Sequence, residues 1–402
     1  MDWPEAPRHA VLVDVLERAH LCQPDELPAE INAAVSRLGL EITVYLVDYE
    51  QHRLWPLTER GKPTADPLSV DGTLAGRAFA SVRTMAAGDA ARPDRLWVPM
   101  IDGSERLGVA EVVLHEVPPD LADLREFCEA LVGLVGHLLT VKLPYGDTLE
   151  QVRRTQPMTA AAELLLASLP PLTFSCHRLV ISAVLEPSYD VGGDAYDYAV
   201  DGPLAQFMVL DAMGRGMRAG LTCVVAMAAM RTARRENKGL FAIGRAADAA
   251  LAEHFADQRF VTAVLGELEM DTGRLRYINA GHPAPLLLRN GKAVRALTGG
   301  RRMPLGLDDS AIEIAEESLE PGDRLLLYTD GVTEARDNAG ELFGTDRLVD
   351  LAERSAVDEL PAPETLRRLA HSVMQHQGGL PTDDATIMLV EWSEKAAERT
   401  QP

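Results

Sequence analysis

The chain has 402 residues, with 39 Lys and Arg against 61 Asp and Glu, a formal net charge of -22. At roughly 100–200 residues per domain that length predicts about two to four domains, and 47% hydrophobic with 25% charged residues is the balance of a globular chain that buries sizeable cores. The acidity is spread over the whole length and argues against nucleic acid or an anionic membrane as partner, because phosphate-rich surfaces attract Lys and Arg.

The longest apolar runs, around Leu131–Val141 and Leu221–Met230, fall short of the roughly 20 residues that span a bilayer. The N-terminus, MDWPEAPRH, lacks the basic-then-apolar pattern of a signal peptide. Cys22, Cys128, Cys176 and Cys223 form no CxxC pair and read as buried small hydrophobes in a reducing cytoplasm.

In chain order, Val11–Ala19 and Leu27–Leu38 have helical apolar spacing, and residues 41–49 and 52–57 read as strands. Residues 71–85 give a short helix feeding a further strand. Residues 95–102 and 106–114 pair through an Asp102-Gly103 turn. A long helix follows from Leu121 to about Val141. Leu143-Pro144-Tyr145-Gly146 breaks it, and a second helical run from about Thr148 to Leu169 has Pro157 as a kink or restart. Leu149, Val152, Leu164, Leu165 and Leu169 in that run could form a dimer seam or pack on their own domain. Residues 10–142, with the Leu74–Phe79 helix before a central strand and a late hairpin and closing helix, resemble a GAF domain. That resemblance implies a regulatory module that takes a small ligand or a protein, and a plain packing module fits the pattern as well.

From Thr173 the chain turns to Gly- and Asp-punctuated strands at 180–187, 204–212, 259–269, 274–281, 324–331 and 385–392. Helical stretches lie at about Met217–Arg235, Leu240–Phe255 and Glu364–Gln377. Strand pairs separated by helices predict two antiparallel sheets packed together with helices outside.

Aspartates stand at the ends of these apolar strands. Asp194 follows Gly192-Gly193, Asp211 ends FMVLD, Asp330 ends RLLLYTD, and Asp383 and Asp384 open ATIMLVEW. Any one of them would ordinarily be a turn residue capping its own backbone. Four in one domain point to a shared site. Two like charges about 4 Å apart repel by roughly 4 kcal/mol at an effective dielectric of 20, so converging carboxylates need divalent cations, and all-oxygen ligands select Mg²⁺ or Mn²⁺. Two such ions about 4 Å apart activate water and clamp a phosphoryl group. The sequence offers no GxSxG, CxxxxxR or GxxxxGK[ST] pattern as a rival.

Residues 186–198 (EPSYDVGGDAYDY), 210–221 (LDAMGRGMRAGL), 260–289, 303–307 (MPLGL), 322–337 (GDRLLLYTDGVTEARD) and 382–389 (TDDATIML) resemble the SpoIIE/RsbU branch of the PPM, or protein phosphatase 2C-like, family. AAELLLASLPP (161–171) resembles that branch's lead-in helix. The resemblance implies an α+β chain: a GAF-like α/β sensor domain at 1–142, a helical linker at 143–171, and an αββα phosphatase sandwich of two antiparallel sheets at 172–402. It implies a cytoplasmic serine/threonine protein phosphatase with two Mn²⁺ or Mg²⁺ ions. Its substrate would be a phosphorylated STAS-domain anti-sigma factor antagonist, and it would work as a regulated homodimer.

By motif position, Asp194 and Asp211 match ligands of the bridged metals, with the Ala212 carbonyl as a further ligand. Asp330 and Asp383 match the remaining carboxylates, with Asp384 as the alternative to Asp383. Asp197 reads as structural. Arg215 departs from the branch's Gly-His-Gly pattern and is either a phosphate contact or a solvated side chain. His282 in NAGHP reads as a structural histidine. The GGD run also invites comparison with diguanylate cyclases, but Ala195-Tyr196 departs from their GGDEF turn. A silent phosphatase-like scaffold is the non-enzymatic alternative.

Overall fold

The computed structural model describes residues 5–58, 66–89, 92–115, 121–187, 189–190, 192–307, 309, 313–378, 383–395 and 397–401. Ser188, Val191 and Thr382 of the motifs above lie outside the described residues. The chain divides into two units, residues 1–156 with 399–402, and residues 157–398.

The first unit runs α1 (Glu5–Leu21), α2 (Leu27–Val35), β1 (Leu40–Val47), β2 (Arg53–Pro56), β3 (Leu68–Ser69), α3 (Leu74–Ser81), β4 (Met85–Asp89), β5 (Arg92–Asp102), β6 (Glu105–Leu114), α4 (Leu121–Lys142) and α5 (Thr148–Arg153). Its six strands form one antiparallel sheet in the order β3-β2-β1-β6-β5-β4. Strand alternation assigns the two faces. Val44 and Leu46 join Val98, Val112 and the apolar sides of α1, α2 and α4. Tyr45 and Val47 join Trp97, Val109 and Phe79 of α3. Asp102 pairs with Glu105 across a two-residue turn in which Gly103 takes a positive φ of 61°, as the Asp-Gly signal predicts.

By length and composition α4 is apolar enough to cross a bilayer, a span that its uninterrupted apolar runs understate. Its Leu124, Phe127, Leu131 and Val135 are buried in the first core, which is how a core helix is used.

The expected run from Thr148 to Leu169 is two helices, because residues 154–159 leave the helical path before Pro157 and after it. Leu149 and Val152 of α5 are buried in the first core. Leu165 of α6 (Ala160–Leu166) is buried in a core of the second unit. Those three side chains are therefore spent on the two cores instead of lining one continuous seam.

After α6 the second unit continues with β7 (Thr173–Cys176), β8 (Leu179–Glu186), β9 (Asp194–Asp201), β10 (Leu204–Ala212), α7 (Gly216–Arg235) and α8 (Leu240–His254). Then come β11 (Val261–Glu269), β12 (Arg274–Ala280), β13 (Leu286–Arg289), β14 (Lys292–Ala296), β15 (Arg301–Arg302), β16 (Ala315–Ser318) and β17 (Asp323–Tyr328). The unit ends with α9 (Asp330–Thr333), α10 (Gly344–Val357), α11 (Ala362–His376) and β18 (Ala385–Trp392).

One sheet is β15-β12-β11-β10-β9 with β16 against β12, and the other is β14-β13-β17-β18-β8-β7. All pairings are antiparallel except β12 with the two-residue β15, a small departure from the expected pattern. Val209, Val264, Leu325, Leu327, Met388 and Val390 interdigitate between the sheets. Their strand neighbours Leu210, Leu265, Leu326 and Leu389 point outward, the first two under α7 and α8, the other two under α10 and α11. The result is four layers, helix–sheet–sheet–helix. Cys128 and Cys223 are buried, whereas Cys22 and Cys176 are half-buried, and all four are free thiols; the expectation of four buried cysteines holds for two.

Candidate active site

The sandwich brings the strand-end aspartates to one end of the two sheets. Asp194 opens β9 and sits opposite Asp211 near the end of β10, as direct cross-strand partners. Asp330 follows β17 and begins α9, while Asp383 and Asp384 precede β18, the strand paired with β17. Asp194 and Asp384 are buried, Asp211 is half-buried, and Asp330 and Asp383 are exposed.

The adjacent pair separates by role. Asp384 Oδ2 accepts the backbone N–H groups of Gly192 at 2.6 Å, Gly193 at 2.6 Å and Asp194 at 3.2 Å. It thereby ties the loop before β9 on one sheet to the start of β18 on the other. Asp383 faces solvent and lies 3.6 Å from the guanidinium of Arg215. Arg215 is the residue just before α7, and its side chain is two-thirds exposed.

Thr329, fully buried, donates its hydroxyl to Asp194 Oδ2 at 2.6 Å while accepting the N–H of Thr386 at 2.9 Å. The Ala212 N–H donates to the carbonyl of Gly193 at 3.0 Å, and a Cβ on Gly193 would stand 2.6 Å from the Ala212 carbonyl oxygen. Glycine is what lets that carbonyl share the corner. Gly331 is tighter still, since a Cβ there would meet the Asp384 carbonyl oxygen at 1.8 Å.

Burial first, then the neighbouring Asp211 and Asp384, holds the Asp194 carboxyl well above the usual carboxylate range. Burial, then Asp330, Asp383 and Asp384, pushes Asp211 up to about 7. Asp330 is raised by burial, Glu334 and Asp383, and Asp384 is raised mainly by burial despite its three N–H donors. Cys223 of α7, buried beneath the cluster, is pushed up by burial and then by Asp194, Asp211 and Asp384. The five carboxylates thus form one electrostatic unit. Among the described residues no three acidic, histidine or cysteine side chains close on a common point; Asp383 leans toward Arg215, as carboxylates that repel one another do. The donor set suits a hard cation: aspartate oxygens and one carbonyl, with repulsion that a positive ion relieves.

Asp197 points away from this cluster. Buried on β9, it accepts Arg231 at 2.6 Å and Arg234 at 2.8 Å from α7, a packing role. Thr329 and the amides of Gly192 and Gly193 were not singled out in the sequence. Their available signal was position, a threonine beside the aspartate in YTD and two glycines directly before Asp194.

Residues 202–393 match the family model described as Stage II sporulation protein E (SpoIIE). The match lies wholly within the second unit. Protein IcfG from Synechocystis sp. is 27% identical over 253 residues, 56% of this chain and 39% of that protein. Phosphoserine phosphatase RsbP from Bacillus subtilis is 25% identical over 220 residues, 53% of this chain and 52% of that protein. The chain therefore spans about half the length of these relatives or less. Among solved structures, the SiaA-PP2C domain of Pseudomonas aeruginosa is 25% identical with a TM-score of 0.49, covering 58% of this chain and 94% of that one. The SpoIIE-type match includes Asp211, Asp330, Asp383 and Asp384, and Asp194 lies eight residues before it.

Proposed function

We propose that this chain is a cytoplasmic, metal-dependent protein phosphatase that hydrolyses phosphoserine or phosphothreonine. The observation that carries the reading is the single electrostatic unit of Asp194, Asp211, Asp330 and Asp383 at one end of the sandwich, within a SpoIIE-type domain. In this reading Asp194, Asp211, Asp330, Asp383 and the Ala212 carbonyl hold the metal pair. Asp384 is the clamp that fixes the loop before β9 instead of a ligand. Bound there, two Mn²⁺ or Mg²⁺ ions supply Lewis acidity and a water of lowered pKa.

The chain's own contribution is positioning. Thr329 holds one oxygen of Asp194 and so fixes the orientation of its carboxylate. Arg215 stands at the rim, where its planar fork suits a phosphate oxygen pair. The acidic surface elsewhere repels anions, so a phosphate is drawn only where cations outweigh the aspartates.

Phosphorylated STAS-domain anti-sigma factor antagonists are the substrate class that the family resemblance favours, and the name phosphoserine phosphatase borne by RsbP supports the chemistry. The N-terminal unit, with its six-stranded sheet between helices, is read as a GAF-like regulatory module of a homodimer. The test is release of phosphate from a phosphoserine-bearing STAS protein with Mn²⁺. Activity lost on chelation and in an Asp211→Asn, Asp330→Asn double variant supports the enzyme. Wild type and double variant releasing phosphate equally would leave the scaffold reading standing.

A further inference from the structure

We propose that Met213 and Phe260 form an apolar lip beside the carboxylates, which receives the residue adjoining the phosphoserine of a protein substrate. The inference rests on the phosphatase reading above and deepens it, by naming what the enzyme reads in the segment around the phosphate.

Strand register places the lip. Asp211 of β10 faces Thr262 of β11, and Ala212 faces Val261. The ladder continues by one more bond, the Met213 N–H donating to the Phe260 carbonyl at 3.1 Å. Side chains alternate between the two faces of a sheet, so Met213 and Phe260 stand on the face of Asp211 and Thr262. Ala212 and Val261 between them turn to the core under α7 and α8. Alternate residues on a strand are about 7 Å apart, a spacing shared by any extended peptide. A polypeptide whose phosphoserine reaches the carboxylates has its neighbouring side chains at that range, over this pair.

The backbone beneath the lip is fixed. Met213 is exposed and Phe260 half-buried. The Met213 carbonyl accepts Nη1 of Arg259 at 2.9 Å, and Arg259 is held in turn by Asp257. Both backbone polar groups of Met213 are thus satisfied within the protein, and its side chain is what the segment presents. Met217, also exposed, stands on the far side of the Gly214-Arg215-Gly216 turn. Gly214 and Gly216 take positive φ values of 96° and 67°, which glycine adopts freely. Between them Arg215 comes 3.6 Å from Asp383.

A lone exposed methionine is ordinary. Here methionine, phenylalanine and arginine, types enriched where proteins meet, flank one site. Charge points the same way. From Ala212 to Arg235 the chain has no acidic residue, although the whole carries -22. On this flank a phosphate-bearing segment therefore meets cations and apolar side chains. The occupant that fits is an extended phosphoserine segment with an apolar residue next to the phosphoserine.

The test uses the full-length protein with Mn²⁺ and compares kcat/KM on two phosphoserine peptides, one with Leu and one with Asn on both sides of the phosphoserine. p-Nitrophenyl phosphate serves as a substrate with no flanking residues. The expected result is a preference for the Leu peptide of about tenfold or more in the wild type. It should fall to within about threefold in Met213→Ser and Phe260→Ser, largely through KM. Met213→Leu, which keeps the apolar surface, should retain it. So should Val294→Ser, at an exposed apolar side chain on the edge strand β14. Melting temperatures check folding, and Met213→Ser, at an exposed position, decides the matter even where Phe260→Ser unfolds. Equal kcat/KM for the two peptides in the wild type, or the full preference surviving in Met213→Ser, overturns the lip. Wild type that hydrolyses p-nitrophenyl phosphate no faster than Asp211→Asn overturns the phosphatase reading beneath it.

Discussion

Asp383 and Asp384 are neighbours in sequence with different physical situations. Asp384 satisfies three buried backbone donors, and a buried donor left without an acceptor costs about 1–3 kcal/mol. Asp384→Ala is therefore expected to lower the metal-free melting temperature by about 5 °C or more. Asp383→Ala, at an exposed side chain, should leave it within about 2 °C while abolishing measurable Mn²⁺ binding. Differential scanning fluorimetry and calorimetric titration separate the two.

Asp211 adds a pH signature. Its folded pKa of about 7 lies above the ordinary 3.8, so between those values the metal-free folded state binds more protons than the unfolded chain. Stability then falls as pH rises through that window, and Asp194, Asp330 and Asp384 shift in the same direction. Asp211→Asn should melt higher than metal-free wild type at pH 8, with the difference closing near pH 4. A difference that grows toward acid would refute the assignment.

At the scale of elements, the site depends on strands from two sheets ending at the same level. Gly331 and Gly193 are where those ends meet most closely. Gly331→Ala puts a methyl 1.8 Å from the Asp384 carbonyl oxygen, so it is expected to shift α9 and Asp330, with Mn²⁺ affinity falling about tenfold or more or the fold being lost, as circular dichroism would report.

The elements legible in the sequence were those with long apolar runs, such as β8, β10, β11 and β18. Strand β9 was not among them. Its Asp194, Ala195, Tyr196 and Asp197 are all buried, so polar residues occupy inner positions and no period of two is visible. The α10 helix and the β13–β14 hairpin also escaped the sequence reading. The three fully buried positions of α10, Leu348, Ala352 and Ser355, include only one large apolar side chain, and β14 has no buried residue among its five. The β14 strand thus offers no apolar stripe to read, whereas Leu348, Leu351 and Ala352 of α10 do have helical spacing and were passed over.

At the scale of the whole molecule, each unit closes its own hydrophobic clusters, and the division falls between Gln156 and Pro157. Residues 157–398 expressed alone are expected to melt in one cooperative transition and to bind Mn²⁺ with the affinity of the full chain. A fragment that is unfolded by circular dichroism would show that the second unit needs the first. Regulation by the N-terminal unit would appear as a change in phosphatase activity between fragment and full chain.

The sequence by itself determined the period of the core strands, the acidic character of the chain, and the places where aspartates end apolar runs, because each is a property of residues adjacent in the chain. It could not say that Asp384 turns inward to three amides while Asp383 faces Arg215, nor that Thr329 holds Asp194. Those contacts join residues as far apart as 192 positions and exist only once two sheets have packed. The net charge of -22 is a sum over the chain; which of those charges repel one another strongly enough to want a cation is decided by the distances and burial that the tertiary structure sets.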